Sequence, residues 1–277
     1  MRSVPWLPLR RVEAARLSAA RVQAHHAAQW LARAARAYIP PCPDDSHTNL
    51  GWDSAFGGLV THPLPGGARL GLKIAGLRLM LIDTAGDAMD SLSLDGRSDA
   101  DVCTWLGEKV SARDLDHRAL DAPLPYMLAP ACTYAIAGLA DGLTELETWF
   151  SNADAMLDAV RRQVIAQKQL DVPPVRCWPH HFDLDTLVTV APGRTTGIGF
   201  APGDEHYDEP YFYVSLYPAP DVSALPRLPA IGHWHTKNFT AAIAPANRIV
   251  EAADQGAAVA DFLRAASDAT IGALARE

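Results

Sequence analysis

The chain of 277 residues carries a net charge of −8 and a sequence pI of about 5.6, which excludes a basic stripe able to hold a nucleic-acid backbone. Its longest uncharged run, Ala122 to Ala140, contains Pro123, Pro125 and Pro130 and cannot form an unbroken membrane-spanning helix. Cys42, Cys103, Cys132 and Cys177 are scattered with no CxxC pair, the pattern of reduced thiols in a cytoplasm, not of a disulfide framework or a zinc cage.

From Met1 to Ala20 the chain is rich in Arg and Ala but has no apolar core followed by a small-residue cleavage site, so no secretory signal is expected. Arg11 to Tyr38 has neither Gly nor Pro and predicts a long helix, with Val12, Ala15, Ala19, Val22, His26, Trp30 and Ala34 as its inner stripe. Ile39-Pro40-Pro41 ends it. His25 and His26 are adjacent on that helix, about 100° apart, and cannot both face one ligand.

Past Ser46-His47 the character turns to short β-type runs cut by glycine and proline. Leu70, Leu72 and Ile74 alternate, as do Leu77, Leu79 and Leu81, which predicts a hairpin around Ala75-Gly76. Met89 to Leu94 is a further strand. Ser98 and Asp101 form a capping box opening a helix from about Asp99 to Val110. Leu115 to Pro130 is a loop with no periodicity. A helical block is expected from about Cys132, weakened at Gly138 and Gly142 and restarting at Thr144-x-x-Glu147 with a second capping box, until Val172-Pro173-Pro174 stops it.

The remaining chain predicts strands at Val175 to Trp178, Leu187 to Val190, Thr196 to Phe200, Tyr211 to Tyr217, Ile231 to His235 and Phe239 to Ile243, then a helix from about Gln255 to Leu274. Runs of strands followed by segregated helices define an α+β fold with antiparallel sheets. The plan suits one domain spanning residues 1–277: an N-terminal helical arm (1–42), a first α+β half (43–130), connecting helices (131–174) and a second α+β half (175–277). Two similar strand-then-helix halves would fit a duplication, although no residue-level repeat supports it. GxGxxG, P-loop and GxSxG patterns are all missing, so the common cofactor and hydrolase signatures give no guidance.

The chemistry-bearing residues concentrate between Arg176 and His235. If Tyr211 to Tyr217 is extended, Tyr211, Tyr213, Ser215 and Tyr217 share one face and Phe212, Val214 and Leu216 the other. A row of phenols suits the wall of a polar pocket, and equally an amphipathic strand using a β-favoured residue. His233 and His235 point the same way on a strand and could present two nitrogens to one divalent metal such as zinc, manganese or iron, with Trp234 turned to the core. Further ligands would have to come from elsewhere. His181 and Asp183 share a face if Trp178 to Asp183 is extended, as Pro179 favours; Asp183 could instead orient an imidazole. Asp204, Glu205, Asp208 and Glu209 add acids, and His206, His47 and His62 more imidazoles. Arg194 could pair with an anionic group. Structural histidines and a solvated acidic loop are the plain alternative.

The order Trp178…His181-Phe182-Asp183-Leu184, then Gly199-Phe200-x-Pro202-Gly203, then Pro210-Tyr211-Phe212-Tyr213-Val214…Tyr217-Pro218 resembles an uncharacterised, largely bacterial domain-of-unknown-function family. Its members carry HFDL-, GFxPG- and PYFYVxxYP-like segments, and the resemblance covers about Arg176 to Leu274. It implies a soluble bacterial protein with a pocket near these motifs, favours Asp183 and the Tyr211 strand over any one histidine, and assigns no activity.

Three functions are therefore carried forward. One is a metal-assisted hydrolase or acid–base enzyme acting on a small polar molecule, with His181, Asp183 and Glu209 catalytic and His233 and His235 on the metal. A second is a small-ligand binder with Trp178, Arg194, Tyr211, Tyr213 and Tyr217 lining the pocket. The third is an assembly protein with structural histidines, a homodimer joined through the Ala-rich first helix. No nucleic acid and no membrane enter any of them.

Overall fold

The computed structural model describes residues 5–126, 133–221 and 225–276; Cys132 and the predicted start of the second helical block at that residue lie outside them. The fold is α+β, with five α-helices and two antiparallel sheets among the described residues. The chain divides into two compact units. An N-terminal unit holds Val12–Glu147 and Cys177–Phe182, and a C-terminal unit holds Met1–Arg11, Thr148–Arg176 and Asp183–Glu277. Among the described residues no helix is long and apolar enough to cross a membrane.

In the N-terminal unit, α1 (Ala14–Tyr38) runs as a single helix until the prolines end it. Its buried side includes Leu17, Ala20, Ala24, Ala27, Ala28, Trp30, Leu31, Ala34 and Ala35; Trp30 and Ala34 of the predicted stripe are buried, whereas Ala15, Ala19 and Val22 are exposed, so the stripe is corrected over the first half of the helix. Alanine occurs on every side of this helix, and the valines were a misleading guide. What selects the inner side is closeness. Against it lies the first turn of α3 (Ala140–Lys168), where a Cβ on Gly142 would stand 3.0 Å from the carbonyl oxygen of Arg16. The helix is thus packed against the start of α3 within its own unit.

The sheet of this unit is a meander of β1 (Gly51–Asp53), β2 (Gly58–Val60), β3 (Arg69–Lys73), β4 (Arg78–Ile82) and β5 (Ala88–Ser93), paired in sequence order. The β3–β4 hairpin turns through Ile74 to Leu77 as the alternation requires, with Leu77 in the left-handed region at φ 41°. α2 (Asp99–Ser111) opens on the expected reciprocal capping box of Ser98 and Asp101. Residues 133–139 are not helical, Gly138 standing at φ 79°. Thereafter α3 continues unbroken through Thr144, so the expected restart there is corrected; Glu147 instead accepts a hydrogen bond from the backbone N–H of Ala75 at 2.9 Å.

From Thr148 onward α3 belongs to the C-terminal unit, whose sheet contains β6 (Arg176–Trp178), β7 (Asp183–Ala191), β8 (Arg194–Ala201), β9 (Tyr211–Tyr217), β10 (His233–His235) and β11 (Ala241–Pro245), in the order β10-β11-β9-β8-β7-β6. The division between units falls inside β6, after Arg176. α4 (Ala246–Val250) and α5 (Gln255–Arg276) follow. One face of the sheet is core. Phe200 meets Trp149 and Phe150 of α3, and Phe212 meets Trp149, with ring centroids between 5.5 and 6.4 Å apart, and Thr196 settles its buried hydroxyl on the Ser215 carbonyl and on Thr270 of α5. The opposite face carries the tyrosines.

Candidate functional site

Register alone assembles this second face. Tyr213 pairs with Gly199 on β8 and Ile243 on β11; Gly199 pairs with Asp185 on β7, and Ile243 with His233 on β10. Since side chains alternate along each strand, Asp183, Tyr211, Tyr213, Ser215, His233 and His235 all emerge on the same side. The histidine pair and the tyrosine row, read from sequence as single-strand patterns, thereby share one surface. Adjacent strands are about 4.8 Å apart, so Asp183 and His233 flank a row of rings and do not touch.

Glycine supplies the floor. Where Gly199 lies, a Cβ would meet the Tyr213 ring at 2.3 Å, and at Gly197 it would meet Ser215 Oγ at 2.7 Å. With no side chain in the way, Tyr213 leans across β8 and donates its hydroxyl to Asp183 Oδ2 at 2.8 Å. The other oxygen, Asp183 Oδ1, is buried and has no hydrogen-bond partner among the described residues. Burial, reinforced by the charge of Asp204, pushes this carboxyl up to about 6. Burial, then the charge of Asp183, holds the Tyr213 phenol well above its ordinary value.

The other flank is built by a turn. Gly203, at φ 110°, lets the chain reverse after β8, and Asp204 Oδ1 accepts from the backbone N–H groups of His206 and Tyr207 at 2.7 and 2.9 Å. The second Asp204 oxygen accepts from Tyr211 at 2.5 Å. The turn sets the Tyr207 ring 5.0 Å from that of Tyr211 and places its hydroxyl 3.1 Å from His233 Nε2 and 2.9 Å from His235 Nδ1. Phe239 stacks on His235 at 4.2 Å. His233 Nδ1 is buried without a partner among the described residues, and burial, followed by Arg248 and His235, lowers its pKa. Tyr207 was not singled out from the sequence. The signal was present as Gly203-Asp204-x-x-Tyr207, a five-residue turn motif between β8 and β9 whose place in the array only the sheet register completes.

The remaining expected residues fall elsewhere. Trp178 to Phe182 is a tight turn, corrected from the extended segment expected: the N–H groups of His181 and Phe182 both bond the Trp178 carbonyl, and Phe182 sits at φ 60°. His181 and Trp178 lie in the N-terminal unit and Asp183 in the C-terminal one, and the backbone between them is not the extended segment from which a shared face was inferred. Arg194 donates to the carbonyl of Leu274 at 3.0 Å near the end of α5, as a cation at a helix C-terminus should. Glu209 accepts from the Asn247 N–H at the start of α4 at 2.8 Å, and its pKa is raised, chiefly by burial. Tyr217, at the end of β9, is 69% exposed. His47 and His62 bond Cys42 N and Asn49 within the N-terminal unit. Among the described residues no group of three or more His, Cys, Asp or Glu side chains is gathered to hold a metal ion; His233 and His235 are tied to Tyr207.

Fold and site together define an α+β protein with a polar Tyr/Asp/His face on an antiparallel sheet. Residues 193–274 match a family of unknown function, DUF5996, a stretch that takes in β8 to α5 and stops short of Asp183. No curated protein and no solved structure matches the chain.

Proposed function

We propose that the tyrosine-bearing face of the C-terminal sheet binds a small polar molecule and that Asp183, held by Tyr213, exchanges a proton with it. The observation that carries this reading is Asp183 itself: one oxygen is fixed by Tyr213 while the other is buried and unbonded. A buried polar atom left unpaired costs about 1–3 kcal/mol, a cost that a bound molecule would offset. A carboxyl raised to about 6 can also be both proton donor and proton acceptor near neutral pH, the property a general acid–base group requires. His233 and His235 serve this reading as hydrogen-bonding groups at the far flank.

The test is a fragment screen by thermal shift on the whole chain, repeated on Asp183→Asn and Tyr213→Phe. Molecules that stabilise the wild type and lose most of that effect in both variants are the expected result. Stabilisation of equal size in all three proteins would move the site off this face.

A further inference from the structure

We infer that the molecule this face accepts is a small organic ammonium ion, seated beside Asp183, Tyr213 and Tyr211. The inference rests on the reading above and sharpens it from a polar molecule to a cationic donor.

It follows from counting hydrogens. His235 Nε2 lies 2.6 Å from the Lys237 carbonyl, which can only accept, so Nε2 carries the hydrogen. In the neutral ring Nδ1 is then a lone pair, and the Tyr207 hydroxyl donates to it. The Tyr207 oxygen must in turn accept from His233 Nε2. That leaves His233 Nδ1, buried and unbonded, as a lone pair too. The Tyr211 hydrogen is committed to Asp204 and the Tyr213 hydrogen to Asp183. The side-chain hydrogens of Tyr207, Tyr211, Tyr213, His233 and His235 are therefore spent inside the array, and what remains for a visitor, besides the Ser215 hydroxyl, is acceptors: Asp183 Oδ1, His233 Nδ1 and the phenol oxygens of Tyr211 and Tyr213.

Charge agrees with the count. Among the described residues no Lys or Arg is a hydrogen-bond or ion-pair partner of Asp183, Asp204, Tyr211 or Tyr213. Arg248 is felt by His233 at the far flank, which directs a second cation toward the Asp183 end. The Tyr207, Tyr211 and Tyr213 rings stand in file from the histidine flank to Asp183, with centroids 5.0 and 6.0 Å apart, and Asp183, Tyr207 and Tyr213 each keep part of their surface open to solvent. A carboxylate or phosphate would meet the Asp183 carboxylate, lone pairs and π faces, against the Ser215 hydroxyl as its donor in the array. An ammonium supplies the missing donor to Asp183 Oδ1 and is attracted by the ring quadrupoles.

Titration calorimetry of the full chain with benzylammonium, benzyl alcohol and benzoate separates the alternatives, because the three share a ring and differ in the headgroup. Butylammonium and guanidinium extend the cationic set. Benzylammonium is expected to bind about tenfold or more tighter than benzyl alcohol, with benzoate silent, and Asp183→Asn is expected to erase that preference. Tyr213→Phe, which keeps the carboxylate, is expected to weaken the ammonium without making benzoate bind. Tighter binding of benzoate or benzyl alcohol that still depends on Asp183 overturns the ammonium while leaving the small-molecule site standing. If no cationic probe binds at millimolar concentration, the ammonium is likewise overturned; if no fragment of any charge depends on Asp183, the site falls with it.

Discussion

The ring of Tyr213 occupies the space in which Gly199 would otherwise carry a side chain, a Cβ there falling 2.3 Å from its Cζ. The glycine is what allows a residue on β9 to hydrogen-bond one on β7 across the strand between them. In an ordinary strand Gly→Ala is neutral or favourable. Here Gly199→Ala is expected to cost roughly 1–3 kcal/mol by overpacking, measured by urea unfolding. In a Tyr213→Ala background the same change should cost little; a full cost persisting there would mean that the ring is not what the glycine accommodates.

Asp183 gives a pH signature. Its carboxyl is moved from the usual 3.8 to about 6 by burial, so the folded state binds a proton more readily than the unfolded state. Such a group favours folding fully at low pH, and the contribution is lost as pH rises through the folded value. Asp183→Asn removes it. Relative to the wild type, the variant is expected to gain roughly 2 kcal/mol of stability between pH 4 and 7, read from unfolding curves at each pH. Parallel pH profiles for the two proteins would show that Asp183 is not shifted in this sense.

His233 is expected to titrate below its ordinary value of 6.5, as burial and the charges of Arg248 and His235 dictate. In its neutral form nitrogen NMR should find the hydrogen on Nε2 and a bare Nδ1. Tyr207→Phe removes the oxygen that holds this arrangement, at a cost of about 1 kcal/mol, and should mix the tautomers. A wild-type ring with its hydrogen on Nδ1 would contradict the chain of donors drawn through Tyr207.

Gly142 tests the other unit. A helical Gly→Ala change ordinarily gains up to about 1 kcal/mol, but a Cβ there stands 3.0 Å from Arg16 O and 3.2 Å from the Ala20 Cβ. Gly142→Ala should return less than the full propensity gain, and Gly142→Val should destabilise by roughly 1–3 kcal/mol. Thermal unfolding that ranks Val as neutral would mean α1 and α3 are not in close contact.

What the sequence disclosed and what it withheld divide along a physical line. Local rules wrote themselves into adjacent residues. The Ser98–Asp101 box, the hairpin of Leu70 to Leu81 and the two-faced strand from Tyr211 to Tyr217 are all present as read. Features set by distant packing were not readable. Phe182 takes a positive φ in a turn that Pro179 does not announce. Glu209 and Arg194 are claimed by the ends of α4 and α5, helices whose approach no spacing reveals. Tyr207 enters the array only because β8, β9, β11 and β10 pair in one register.

The stretch that matches DUF5996 begins at residue 193, after β7 has ended. Yet β7 pairs with β8 from Leu184↔Phe200 to Ala191↔Arg194, and Asp183 stands at its first position. A fragment cut to residues 193–274 would therefore leave β8 as a naked sheet edge, its N–H and C=O groups open to any passing strand. It would also deprive Tyr213 of its acceptor. Such a fragment is expected to aggregate where one begun upstream of Asp183 would not: the smallest cooperative piece of this half of the molecule extends further toward the N-terminus than the segment by which its kinship is recognised.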